Sequence, residues 1–165
     1  MIRVSEAPKK AGSRERVRAY LETHGLADDI FEFAQSTKTA AEAAEAMGCE
    51  LGQIVKSLVV VVDGQTPLVA LVAGDRKGDL HAIAAELGGS KAKMADADTV
   101  RAATGYAIGG VSPFALPEAL TVLFDDSLER YEVVYPAAGT PASMVRMNRG
   151  DLLTVSHGRV ARISL

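Results

Sequence analysis

"GQIVKSLVVVVDGQTPLVALVAGD", residues 52–75, decides the fold. Its two apolar runs, 57–62 and 67–73, are rich in β-branched residues and too short for helices. Asp63-Gly64 between them is a strong reversal signal, because both residues tolerate the positive φ that a tight turn demands. The runs are therefore expected to pair as adjacent antiparallel strands. Apolar residues occupy both alternating sets, so the hairpin should lie centrally and be covered on both faces. Lys56, between Val55 and Ser57 at the head of the first run, conflicts with that burial. Either its stem packs while the ammonium reaches water at the strand end, or the ammonium is held there for a ligand.

The flanking sequence supplies helices and short strands in mixed order. Val17, Tyr20, Leu21 and His24 recur at helical spacing over 14–24, with Gly25 placed to end the turn. "DIFEFAQ", 29–35, alternates apolar and polar residues as a strand does. Thr39 and Glu42 have capping-box spacing, and Gly48 can close the alanine-rich helix that follows. Further helices are expected over 79–87, over 97–103 behind the cap Asp96, and near 148–154 behind Asn148. "LTVLF", "YEVVY", "ASMVRM" and "RVARIS" read as short strands. With no repeat or linker, the pattern is that of one α+β domain rather than regular βαβ units.

Composition narrows the class of function. Of 165 residues, 48% are hydrophobic and 24% charged, which suits a globular domain with a substantial core. The opening residues contain no unbroken apolar segment of the signal-peptide kind, and no run approaches the length of a membrane helix, so a cytoplasmic protein is expected. A single cysteine, Cys49, excludes an intrachain disulfide, and His24, His81 and His157 lack metal-ligand spacing. No metal and no cofactor are expected. The net charge of −3 offers no general attraction for a polyanion, but residues 1–18 concentrate Arg3, Lys9, Lys10, Arg14, Arg16 and Arg18 against Glu6 and Glu15. This arm is either a solvated terminus or a phosphate-binding segment. Arg76, Lys77, Lys91 and Lys93, flanking the hairpin and a later loop, are the competing basic surface.

Two further constellations could carry chemistry. In "GGVSPF", 109–114, two glycines let the backbone approach a ligand while Pro113 fixes the exit, although a plain tight turn has the same composition. Ser112 lacks the following glycine of a hydrolase elbow and any marked histidine partner, so it is a poor nucleophile. Asp125 and Asp126 resemble a carboxylate pair, but neighbours on a strand point to opposite faces, and Asp126 is placed to cap "SLERY". Cys49 lies behind a helix end, where nothing lowers its pKa.

In order along the chain, Thr37-x-Thr39-Ala-x-Glu42-Ala-Ala, "GQIVKSLVV", "LVAGD", "TGYAIGGVSPF" and "AAGTP" resemble the YbaK/ProX family of aminoacyl-tRNA deacylases, also found as the editing domain of bacterial prolyl-tRNA synthetases. The resemblance spans roughly residues 28–163. It implies a mixed, largely antiparallel barrel-like sheet flanked by helices. Residues 28–165 would form the deacylase domain, with 1–27 as a basic arm and helix of the same unit. The implied activity is hydrolysis of the ester joining a wrong amino acid to the 3′-terminal adenosine of tRNA.

In this resemblance Lys56 corresponds to the family's lysine, and Gly109 through Pro113 to its glycine-x-x-x-proline loop. Lys56, Gly109 and Gly110 are the implied catalytic residues; Thr37, Thr39, Ser57, Ile108, Val111, Ser112, Pro113 and Phe114 are the implied substrate-binding set. The ammonium would bind the ester or terminal phosphate, and loop amides would stabilise the oxyanion. No side chain is an obvious general base, in keeping with a mechanism in which a free ribose hydroxyl of the substrate positions or activates the water. Many members acting on cysteinyl-tRNA carry basic residues shortly after the Ser-Pro of the loop, whereas this chain continues "FALPEAL", so alanine, cysteine, serine and threonine all remain open. Partners would be aminoacylated tRNA and an aminoacyl-tRNA synthetase. The competing functions are a non-catalytic tRNA- or nucleotide-binding module of the same fold and a Schiff-base enzyme using neutral Lys56; the latter lacks any accompanying carboxylate or phosphate motif.

Overall fold

The computed structural model describes residues 12–165. The hairpin is its central element. Strands β2 (Val55–Val62) and β3 (Thr66–Ala73) pair antiparallel in continuous register from Val55↔Ala73 to Val62↔Thr66. Asp63 and Gly64 both take positive φ, 52° and 68°, as the turn requires. The Asp63 carboxylate accepts backbone N–H bonds from Ser90 and Lys91, which fixes the turn to the rest of the sheet.

Both hairpin faces are covered, as the doubled apolar pattern demands. Val55, Val59, Val69 and Leu71 pack in one cluster with Val17 and Leu21 of α1 (Ser13–Thr23) and with Phe114. Val60, Val62, Leu68, Ala70 and Val72 pack on the other face with Ile83 and Ala84 of α3 (Leu80–Glu86). Fully burying one such aliphatic side chain contributes about 1.5–3 kcal/mol, so both layers are needed to hold the sheet.

The full sheet has the order β4-β2-β3-β5-β9, with β4 at Ala92–Met94, β5 at Thr121–Asp125 and β9 at Arg159–Ala161. β2–β3 and β2–β4 are antiparallel; β3–β5 and β5–β9 are parallel. The sheet is mixed as expected, and four of the six strand pairings among the described residues are antiparallel, but the barrel-like closure is not observed. Helices intervene before β5 and β9, and crossovers of that kind deliver parallel neighbours. Among the described residues β4 and β9 do not pair with each other, so the sheet stays open. Two small ribbons lie apart: β1 (Ile30–Glu32) with β7 (Ser143–Val145), and β6 (Val133–Val134) with β8 (Met147–Asn148).

The remaining helices begin where the sequence places caps. Thr39 Oγ1 accepts from Glu42 N at the start of α2 (Ala40–Met47), Asp96 from Thr99 N at α4 (Ala97–Thr104), and Asn148 from Gly150 N at α5 (Arg149–Val155). One detail differs from the capping box: Glu42 reaches back to Lys38 N, one residue before Thr39. The cap at the acidic pair is also corrected, since Asp125, not Asp126, caps the short 3-10 turn Asp126–Arg130. Asp125 is fully buried and accepts from Ser127 N and Oγ, Ile163 N and Ser164 Oγ. That set ties the C-terminal segment to β5 and leaves Asp125 no part in a carboxylate pair.

The N-terminal basic arm is divided. Arg3, Lys9 and Lys10 lie outside the described residues. Arg14 is committed to Glu15 and Glu32, each at 2.7 Å. Arg16 stacks 4.1 Å above the Tyr106 ring and donates to the Thr104 carbonyl at 2.9 Å. Of the three arginines on α1, only Arg18 remains outward-facing and exposed, which weakens the arm as a phosphate-binding stripe. No described helix is long and apolar enough to cross a membrane.

Candidate active site

A cavity of about 300 Å³ opens beside β2, between the start of α2 and the loop at 108–111. Lys56 and Ser57 line it from the strand, Thr37, Lys38 and Thr39 from the α2 entry, and Ile108, Gly109 and Val111 from the loop. Ala43, Val100 and Met144 supply apolar wall from more distant segments. None of the lining residues is an aspartate, glutamate or histidine. Among the described residues no group of three or more His, Cys, Asp or Glu side chains could hold a metal ion.

Lys56 is half-buried, and its Nζ donates to the Arg76 carbonyl. An ammonium has three donors, so two remain for a ligand. Burial pushes the Lys56 pKa down, and the charge of Asp75 partly restores it. Asp75 is itself held below the usual carboxylate range, chiefly by hydrogen bonding from Arg130, whose Nη1 and Nη2 lie 2.9 and 2.7 Å from its oxygens. Ser57 carries a different signature: its Oγ is buried without a hydrogen-bond partner.

At the α2 entry the polar groups are pinned. Thr37 donates through both N (2.9 Å) and Oγ1 (3.1 Å) to the Pro141 carbonyl. Thr39 caps α2. Lys38, exposed between them, lines the cavity and belongs to no motif that would single it out.

The glycine-rich loop divides into a cavity-facing part and a supporting part. Gly109 lines the cavity at φ +90°, and a Cβ there would meet nothing within 4 Å. Gly110 does not line it: its N–H donates to Ala107 O at 2.9 Å, and its Cα faces the 139–141 segment, where an added Cβ would lie 3.2 Å from Gly139 O. Gly110, expected beside Gly109 as a catalytic amide, is thus set off the cavity lining with its N–H engaged in a turn. Ser112, Pro113 and Phe114 also stand behind the loop. Ser112 Oγ donates to Ala137 O at 2.7 Å, Phe114 is fully buried in the core, and Tyr106 Oη donates to Phe114 O. Pro113 borders a second cavity on the other side.

That second cavity, about 600 Å³, is lined by Tyr20, His24, Glu118 and His157 among others. Two of these groups are engaged locally: Tyr20 Oη donates to Val155 O, and His24 Nδ1 lies 2.9 Å from Tyr20 O. Cys49 lines neither cavity, and its thiol pKa is raised, first by burial and then by Glu50.

The segments gathered at the smaller cavity match a known sequence pattern, that of the aminoacyl-tRNA editing domain, over residues 34–155. The chain belongs to this family. A crystal structure described as a candidate trans-editing enzyme for prolyl-tRNA synthetase superposes with a TM-score of 0.85 at 37% identity, covering 95% of this chain and 99% of that one. An Enterococcus faecalis relative named as a candidate Cys-tRNA(Pro)/Cys-tRNA(Cys) deacylase, EbsC, is 28% identical over 96% of this chain and 98% of its own. The Escherichia coli multifunctional Ser/Thr-tRNA deacylase ProXp-y is 28% identical over 93% of each. The editing-domain family thus contains relatives of this chain's full length as well as domains within proline–tRNA ligases, to one of which the chain is 32% identical over 72% of its length.

Proposed function

We propose that this chain is a trans-editing hydrolase that removes a small amino acid, alanine, cysteine, serine or threonine, from mischarged tRNA in the cytoplasm. One observation carries the reading: a single open cavity gathers Thr37, Thr39, Lys56, Ser57, Ile108, Gly109 and Val111 from three separate stretches of an editing-domain sequence. Its volume and its aliphatic walls at Ala43, Val100 and Val111 suit a small side chain on the ester of the terminal adenosine. The names of relatives that act on cysteinyl- or seryl- and threonyl-tRNA support the same size class.

In this mechanism Lys56 directs its two remaining N–H donors to the ester or the terminal phosphate. Gly109, at a φ that only glycine adopts easily, brings backbone close to the reacting carbon. The absence of a carboxylate or imidazole from the lining supports attack by water that a ribose hydroxyl of the substrate positions. An aminoacyl ester is labile enough for positioning and charge stabilisation to suffice, one well-aimed donor being worth on the order of 3 kcal/mol.

The test is amino-acid release from a panel of charged tRNAs. Release from alanyl-, cysteinyl-, seryl- or threonyl-tRNA with sparing of phenylalanyl-tRNA is expected. Tight binding of these tRNAs without release would instead establish the non-catalytic module.

A further inference from the structure

The hydrogen-bond ladder on the outer edge of β2 is broken around Ser57, from the Val55 C=O to the Val59 N–H, and the break opens into the active-site cavity, which Ser57 lines. Along β2 the backbone groups of alternate residues point to opposite edges. Even-numbered positions face β3, as Gly74 N donating to Ile54 O shows at the strand's entry. Odd-numbered positions face outward: Val55 N donates to Tyr135 O at 3.0 Å, Val59 O accepts from Ala95 N at 3.0 Å, and Asp63 N donates to Lys91 O at 2.7 Å. Ser57 lies between these anchors. β4 pairs only with Val60 to Val62, and after Ala95 the chain turns into α4 behind Asp96. On the other side, Pro136 and Ala138 leave β2 to bond with Val145 and Ser143. Among the described residues no hydrogen bond reaches the N–H or C=O of Ser57 from the outer edge. Its Oγ is likewise buried and unpartnered.

We propose that this gap is the seat of the substrate's aminoacyl group, which docks as the missing ladder residue opposite Ser57. The inference rests on the deacylase reading for the identity of the ester. One amino acid presents a donor and an acceptor on the same side, as a strand residue does. Its α-ammonium donates to Ser57 C=O and its ester carbonyl accepts from Ser57 N–H. Val55 and Val59 are four residues apart, about 13 Å of strand, which leaves room for one residue between the two anchored ends.

Chirality and chemistry follow from the pairing. Residues opposed in a ladder place their side chains on the same face, with Cβ atoms about 5 Å apart. Ser57 shares its face with Val55 and Val59, the face that carries Val100 and Val111. An L-amino acid therefore puts its side chain into that small aliphatic cup beside Ser57 Oγ, where a substrate hydroxyl or thiol finds a partner. The site takes an L-α-aminoacyl ester with a free ammonium; it rejects N-acylated and D-aminoacyl groups.

The test uses the wild-type chain and 3′-(L-alanylamino)-3′-deoxyadenosine, which cannot be hydrolysed, followed by amide-resolved NMR. The Ser57 amide proton is expected to move downfield and to exchange more slowly, and the N-acetyl and D-alanyl analogues to bind at least ~10-fold more weakly, the value of one charged hydrogen bond. Three outcomes overturn the proposal: no shift at any cavity residue, shifts at Thr39 and Gly109 without one at Ser57, or equal affinity for all three analogues. A Ser57 response in a protein that releases no amino acid from charged tRNA would refute the deacylase reading and leave the subsite standing.

Discussion

The two cavities of this protein contrast in a way that inverts the usual search for an active site. The larger, about 600 Å³, holds a tyrosine, two histidines and a glutamate, the side chains expected of acid–base catalysis. The smaller, about 300 Å³, holds two lysines, a serine, threonines and exposed backbone. The matched span, residues 34–155, contains every lining residue of the smaller cavity, whereas Tyr20, His24, Ser156 and His157 of the larger one lie outside it. In the larger cavity Tyr20 and His24 are turned back onto α1 and α5 carbonyls, while in the smaller Ser57 is left with unused hydrogen-bonding capacity. For a labile ester, free donors at a fixed edge matter more than titratable groups.

The largest effect that can break this contrast is Lys56→Ala, expected to lower kcat/KM by ~100-fold or more, the worth of one aimed donor, with little change in Tm because the side chain is half-buried. A folded variant with wild-type turnover would remove the smaller cavity from the chemistry. Gly109→Ala comes next. The Cβ has space, but φ +90° costs a non-glycine residue about 1–2 kcal/mol, so a roughly tenfold loss of turnover is expected. Gly110→Ala should act differently, lowering Tm by pushing against Gly139 and Thr140.

A smaller effect is the pH dependence of Lys56. Burial lowers its folded pKa, so the ammonium is lost at a lower pH than in an unfolded chain. Turnover, corrected for spontaneous hydrolysis, should therefore fall on the alkaline side before lysine's ordinary range is reached. Between the folded and unfolded pKa values the unfolded state binds more protons, so this group's contribution to stability rises with pH there. Lys56→Arg should be slow because the wider guanidinium misplaces its donors, and any residual rate should lack the alkaline limb. An unchanged limb in that variant would assign it to another group. Smallest of all, His24→Ala and His157→Asn should change turnover by no more than about twofold, within the range of peripheral substitutions; asparagine suits the positive φ of His157. A large loss in either would move the chemistry to the larger cavity.

What the sequence made legible was local. The hairpin followed from β-branched residues on both alternating sets and from Asp63-Gly64, and α2, α4 and α5 from the caps Thr39, Asp96 and Asn148. β4 escaped notice because Ala92–Met94 has no strand periodicity and becomes a strand only by pairing with Val60 to Val62. Parallel placement of β5 and β9 depends on crossovers, which no short motif encodes. At the site, Lys56, Ser57 and Gly109 were readable from motifs, whereas Met144 and Val100 enter the wall through tertiary packing alone. Gly110, Ser112 and Phe114 share the loop's motif, yet they support it from behind, since adjacent residues of a tight loop face opposite ways. The gap at Ser57 has no sequence signal, because two distant segments create it by leaving β2 at different points.

The most direct test of catalysis without a protein base is single-turnover hydrolysis of alanyl- or seryl-tRNA whose terminal adenosine lacks the free ribose hydroxyl. Unimpaired binding and a rate slower by ~100-fold or more are expected, comparable to the loss of one well-aimed catalytic group. Hydrolysis of the deoxy substrate at the rate of the normal one would contradict this expectation and require a base supplied by the protein.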